Sequence, residues 1–251
     1  MAAQVALIAC RVGVTVCGPH DTTAANRRTG KPLSAARSHG PLVVVTGESG
    51  GGKTSCCLQL VREARRRGLL VSGLLTLALY TADTPASDAG MRSGGAPLSP
   101  HSPEARGLPR VRVAEDLRSG QRRPAAHRVP SEGRVPGEPL WRLRDEALAW
   151  GDAVLMHACP TDVLVVDEIG PLELLHRRGW YRGLWCALAG RYGLAVVVVR
   201  PWLVPRLREL WQAPIEAVVD VAGVDGRSLA HDLLAMAATC VPADGAPETP
   251  Q

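Results

Sequence analysis

The chain has 251 residues, of which 46% are apolar, enough for one α/β domain with a sizeable core. Only 4% are aromatic and Phe is absent, so Leu, Val and Ala must fill that core. The net charge is +5, and of the 29 basic Lys and Arg residues all but Lys31 and Lys53 are arginine. The longest apolar runs, such as residues 69–79, fall short of the roughly 18 residues that span a bilayer, so an integral membrane protein is not expected. Residues 1–17 are interrupted by Arg11 and lack a basic start, which argues against a secretory leader and for a cytoplasmic protein.

In chain order, residues 1–40 carry much Thr, Ala, Gly and Arg and read as a disordered N-terminal extension. Residues 42–46 are a short β-branched run, hence a buried strand. Residues 53–67 place apolar side chains at 57, 58, 61 and 64, a helix face, and Gly68 suits the residue just after its end. Residues 69–79 are strand-like, whereas residues 83–109 hold five prolines and read as an irregular inserted loop. Residues 111–117 predict a strand, with Ser119-Gly120 as a turn. Residues 141–158 predict a helix with Leu143, Ala147, Trp150 and Val154 on one stripe. Strands are expected at 163–166, 195–199 and 217–221, and helices at 171–191 (broken at Gly179), 204–211 and 228–239. Residues 241–251 form a polar tail. The stretch 41–240 is therefore expected to be a single α/β domain, a mostly parallel sheet with helices on both faces. Ligands of such sheets bind at the carboxyl ends of strands, here just after Thr46, Val166 and Val199.

The first of these ends reads Gly47-Glu48-Ser49-Gly50-Gly51-Gly52-Lys53-Thr54, a complete G-x-x-x-x-G-K-[ST] phosphate loop, or Walker A motif. Glycines let successive N–H groups turn inward around a phosphate, and the following helix, through Ser55, adds its N-terminal dipole. Lys53 would reach the β- and γ-phosphates and the Thr54 hydroxyl would bind Mg²⁺. At this chain's own residue frequencies a chance match is roughly a two-in-a-thousand event. The second end, Val163-Leu164-Val165-Val166-Asp167-Glu168, has the form of a Walker B strand. Asp167 would hold Mg²⁺ through water, and Glu168 would take a proton from an attacking water. The third end places Arg200 where a cation could stabilise transition-state charge.

No Asn/Thr-Lys-x-Asp guanine signature is present, so loose base selection is expected. The Arg clusters at 65–67, 122–123 and 177–178 lack interleaved aromatics and read as solvated helix faces, so nucleic acid is not the expected partner. Seven cysteines with no C-x-x-C read as buried, reduced thiols, and His157-x-Cys159 has no second pair to complete a metal site.

Asp167-Glu168-Ile169-Gly170-Pro171-Leu172-Glu173-Leu174 resembles the D-E-I-G-x-M-E-L hallmark of a nucleoside-triphosphatase family. That family includes thermophilic archaeal and bacterial NTPases and the cancer-related nucleoside-triphosphatase of animals. Val71-Ser72-Gly73-Leu74-Leu75-Thr76 is similar to its V-x-G-F-x-T second strand, and residues 111–123 resemble its following hairpin. The resemblance implies a RecA-like P-loop fold and slow Mg²⁺-dependent hydrolysis of several triphosphates (ATP, GTP, CTP, UTP or deoxy forms) to diphosphate and phosphate. It departs from the pattern at Leu172 for Met, Leu74 for Phe and Leu77 for Glu. Two other readings remain open on the residues alone: a nucleotide or small-molecule kinase, and an NTP-switched module that binds protein or nucleic acid.

Overall fold

The computed structural model describes residues 40–79, 111–129, 141–211 and 213–238. The expected extension, the inserted loop at 83–109 and the tail lie outside the described residues, apart from Gly40. Continuous Val, Ile and Leu runs make the central strands: β1 (Leu42–Thr46), β2 (Val71–Leu79), β6 (Thr161–Ile169), β7 (Tyr192–Val199) and β8 (Ala217–Asp220). These five run parallel to their neighbours among themselves. Three more, β3 (Val111–Asp116), β4 (Arg122–Arg128) and β5 (Trp141–Leu143), extend the sheet antiparallel from β2. The full order is β5-β4-β3-β2-β6-β7-β1-β8.

Alternation along each strand divides the core between two faces. Val43, Val45, Val163, Val165, Val196 and Val198 lie under α1 (Lys53–Arg66) and α6 (Gly226–Ala238). Val44, Leu164, Val166, Ala195 and Val197 lie on the other face, under α2 (Asp145–Met156), α4 (Tyr181–Leu188) and α5 (Val204–Leu210). Strands buried on both faces cannot afford a polar residue without a partner, so an acid in one of them marks a built site. No helix among the described residues is long and apolar enough to cross a membrane.

Most predicted elements are present. The first helix ends as expected: Gly68 (φ 74°) donates its N–H to Arg65 O and Leu69 donates to Ala64 O, a complete Schellman turn. Residues 141–158 are not one helix. Trp141 to Leu143 pair with β4, and the helix begins only at Asp145. Its buried stripe is Ala147, Gly151 and Leu155, while Leu143 is exposed. Gly151 sits there because the Trp180 indole closes onto it, leaving no room for a Cβ.

The helical stretch over 171–191 is broken at Gly179 as expected: α3 (Pro171–Leu174) and α4 are separated by a turn with Arg177 and Gly179 at positive φ. The arginines are less uniformly solvated than expected. Arg118 donates to Ser72 Oγ and to the carbonyls of His157, Ala158 and Pro160, and Arg65 donates to Leu117 O. Cys56 and Cys57 are buried as expected, but Cys159 is half-buried and Cys186 exposed.

A very close approach in the sheet is at Gly73 of β2, which has φ 114° and where a Cβ would stand 1.9 Å from the Val165 carbonyl oxygen of β6. Gly73→Ala must therefore both strain the backbone and part the two strands. It is expected to cost at least about 3 kcal/mol, measured as a lowered urea midpoint. An unchanged midpoint would mean that β2 and β6 tolerate a wider spacing.

Candidate active site

The loop after β1 turns on glycines whose φ angles only glycine adopts freely: Gly47 at 141°, Gly50 at 80° and Gly52 at 90°. A Cβ at Gly47 would also press on Val221 and Asp220 at the end of β8. Gly52 caps α1, no side chain satisfies the first-turn amides, and no acidic residue neutralises them. A 14-residue helix whose N-terminus lacks a side-chain cap, preceded by such a loop, is built to receive an anion. Lys53 donates from Nζ to the carbonyls of Gly47 (2.7 Å) and Glu48 (2.6 Å), closing the loop on itself with one N–H donor still available. Glu48, Ser49, Gly50, Gly51 and Ser55 are exposed along the rim.

The acidic pair does not follow the strand but lies within it. Val166 is level with Val197 of β7 and Ile169 with Val199, so β6 carries one extra residue at Asp167-Glu168. This bulge holds Glu168 at φ 71°, a left-handed conformation rare for a residue with a side chain. The two carboxylates consequently face different surroundings. Asp167 is fully buried and its Oδ2 accepts from the Thr54 hydroxyl at 2.8 Å and from the Thr76 amide at 3.4 Å. Glu168 forms an ion pair with Arg112 of β3, whose guanidinium lies 4.6 Å from the centroid of the Trp141 ring in β5.

Burial pushes the Asp167 carboxyl up to about 6, against the Thr54 and Thr76 hydrogen bonds and the charges of Arg112 and Lys53, which pull it down. Burial also lowers the Lys53 ammonium, and the charge of Arg200 lowers it further, which places Arg200 within electrostatic reach of the loop at the end of β7. Asp167, Glu48 and Asp220 oppose that shift.

Asp167 Oδ1 is buried with no hydrogen-bond partner. A hard cation suits this arrangement, since Mg²⁺ needs only one or two protein oxygens and takes the rest of its shell from water and phosphate. Thr54 and Asp167, 113 residues apart in the chain, are thus brought together where the resemblance implies a metal. His157 and Cys159 are not part of any such centre; His157 Nδ1 lies 2.9 Å from Ala153 O, and no group of three or more His, Cys, Asp or Glu side chains among the described residues could hold an ion.

Two contributors were not marked by the sequence patterns, and a third was marked with no role. Arg112 and Trp141 come from the antiparallel strands and lie far from either motif. Glu173, inside the octapeptide, is buried and accepts from the amides of Gly170 (3.1 Å) and Trp180 (3.2 Å). It therefore secures the turn that follows Asp167 and Glu168 and the expected break before Tyr181.

A mostly parallel α/β sheet with a glycine loop leading from β1 into α1 is the fold of a P-loop NTPase. The structure is similar to the solution structure of a human cancer-related nucleoside triphosphatase, with a TM-score of 0.50 and 20% identity, covering 82% of this chain and 100% of that one. No family model and no curated protein matches the chain.

The raised Asp167 carboxyl has a consequence for the metal-free protein. Its contribution to stability is full below the ordinary Asp range near pH 4 and is lost as pH rises towards about 6, because the folded state holds the proton more tightly than the unfolded one. In EDTA, Asp167→Asn should therefore be more stable than wild type above pH 6, by roughly 2–3 kcal/mol, with the gap closing near pH 4. Melting curves across that range would test it, and a variant no more stable than wild type at pH 8 would refute the cost assigned to the ionised group.

Proposed function

We propose that the protein is a Mg²⁺-dependent nucleoside-triphosphatase that releases phosphate from several triphosphates, among them ATP, GTP, CTP and UTP or their deoxy forms, with loose base selection. The observation that carries this reading is the 2.8 Å hydrogen bond from Thr54 to Asp167, which joins the phosphate loop to the strand bearing Glu168. The similarity in fold to a nucleoside triphosphatase supports the same class of chemistry.

In this reading residues 47–55 bind the triphosphate through backbone amides, and Lys53 turns its ammonium to the β- and γ-phosphates. Thr54 and, through water, Asp167 hold Mg²⁺, which when bound neutralises charge on those phosphates. Glu168 orients a water in line with the γ-phosphorus and accepts its proton. Arg200, whose charge bears on the loop lysine, would add positive charge at the phosphate. An acid adjacent to the metal-side Asp favours water over a bound alcohol as acceptor, which separates this reading from a kinase.

The direct test is phosphate release from a panel of triphosphates with Mg²⁺ and no other substrate. Wild type is expected to turn over several of them, Glu168→Gln to bind nucleotide while losing roughly 10²–10⁴-fold in rate, and Lys53→Ala to lose both binding and rate. Phosphate release by wild type no greater than by Glu168→Gln would overturn the hydrolase assignment. A rate that appears only with an alcohol acceptor would point to a kinase, and one that appears only with nucleic acid would point to a switch.

A further inference from the structure

The antiparallel strands beyond β2 contribute nothing to the phosphate loop, yet they deliver one charge to the site. Arg112 reaches from β3, past β2, to the Glu168 carboxylate. Its backbone lies at a second irregularity: Arg112 is level with Ala126 of β4 but Val113 with Pro124, so β4 has an extra residue there. Pro124 has no N–H for the ladder, which accounts for the break. Two bulges thus flank β2, one in β6 at Glu168 and one in β4 opposite Arg112, and the side chains of Glu168 and Arg112 meet between them.

We propose that Arg112 is an arginine supplied in cis to the γ-phosphate, and that a bound triphosphate draws it from Glu168. This rests on the triphosphatase reading above. A carboxylate engaged by a guanidinium has its lone pairs occupied and is a poor proton acceptor. A γ-phosphate carries more negative charge than one carboxylate and offers three oxygens to the planar fork. Glu168, the partner of Arg112, directly follows Asp167, which is bonded to the first turn of α1. The Arg112 charge already bears on Asp167.

Trp141 has the complementary role. A ring stacked on the guanidinium face leaves the in-plane N–H groups open and holds that plane while its partner changes. Moving the guanidinium to the phosphate has two effects in one step. It stabilises the charge that builds on the γ-phosphoryl oxygens, and it frees Glu168. The water oxygen then bonds to the γ-phosphorus as the bond to the β–γ bridging oxygen breaks. The bond's electron pair leaves with the diphosphate, and the water proton passes to Glu168.

The test uses the full-length chain with Arg112→Ala and Arg112→Lys, read by phosphate release, by affinity for a non-hydrolysable triphosphate analogue and by melting. Arg112→Ala is expected to lose about 10²–10³-fold in kcat while its analogue affinity stays within about tenfold of wild type. Millimolar guanidinium should restore part of that rate to Arg112→Ala but none to Glu168→Gln, a rescue that a purely structural role would not produce. Arg112→Lys keeps the charge and the fold but not the fork, so its kcat should fall at least tenfold, which covers the case of an unfolded Ala variant. An active wild type with Arg112→Ala or Arg112→Lys equally fast or faster overturns this proposal alone, as does a folded, slow Arg112→Ala that guanidinium does not rescue. A wild type that releases no phosphate overturns the triphosphatase reading and this proposal with it.

Discussion

A carboxylate buried in a strand that is apolar on both faces is costly unless its oxygens are satisfied, and Asp167 is such a group. Its partners arrive from separate parts of the fold. The hydroxyl of Thr54 comes from the first helix and the amide of Thr76 from β2, while the charges of Lys53 and Arg112 come from the loop and from β3. These groups do not remove the penalty entirely, since the carboxyl remains raised and Oδ1 lacks a partner. A bound cation would complete what the protein leaves unfinished. The site is therefore coupled to the order of the strands: separate β1 from β6 differently, and Thr54 no longer meets Asp167.

The sheet has two parts with different physical characters. The five parallel strands are mostly apolar and, at the centre of the sheet, covered on both faces, and they fix the positions of the loop, of Asp167 and of Arg200. The antiparallel part is shorter and more exposed, with Arg, Ala and Pro in β4. Its contribution to the site is the Arg112–Trp141 pair. Glu168 stands where the two parts face one another, held by a bulge in one and an arginine from the other. Glu173 secures the turn that follows it through two backbone amides.

Much of this was legible along the chain. Continuous Val and Leu runs specify buried strands because they are rich in β-branched residues and too short for a buried helix. The first helix and its glycine end were readable because the capping chemistry is local, as was the phosphate loop, whose function depends on eight contiguous residues. The helix expected over 141–158 began too early because Trp141 to Leu143 satisfy helical spacing equally well. Only the vacant edge of β4, 13 or more residues away in the chain, decides that they pair as a strand. The break in the helical stretch over 171–191 was legible at Gly179, and the fold adds its cause: Glu173 bonds the amide of Trp180, which a continuous helix would have used internally.

The sequence by itself determined that this chain builds a covered parallel sheet with a phosphate loop after one strand and an acidic pair in another. Those features depend on residues adjacent to each other or repeated at a fixed period. Tertiary structure alone decided that Asp167 bonds the Thr54 hydroxyl directly, that Glu168 meets a cation, and which of the many arginines that cation is. An ion pair between residues 112 and 168 leaves no local pattern. It arises only when strand order and two bulges bring the side chains together.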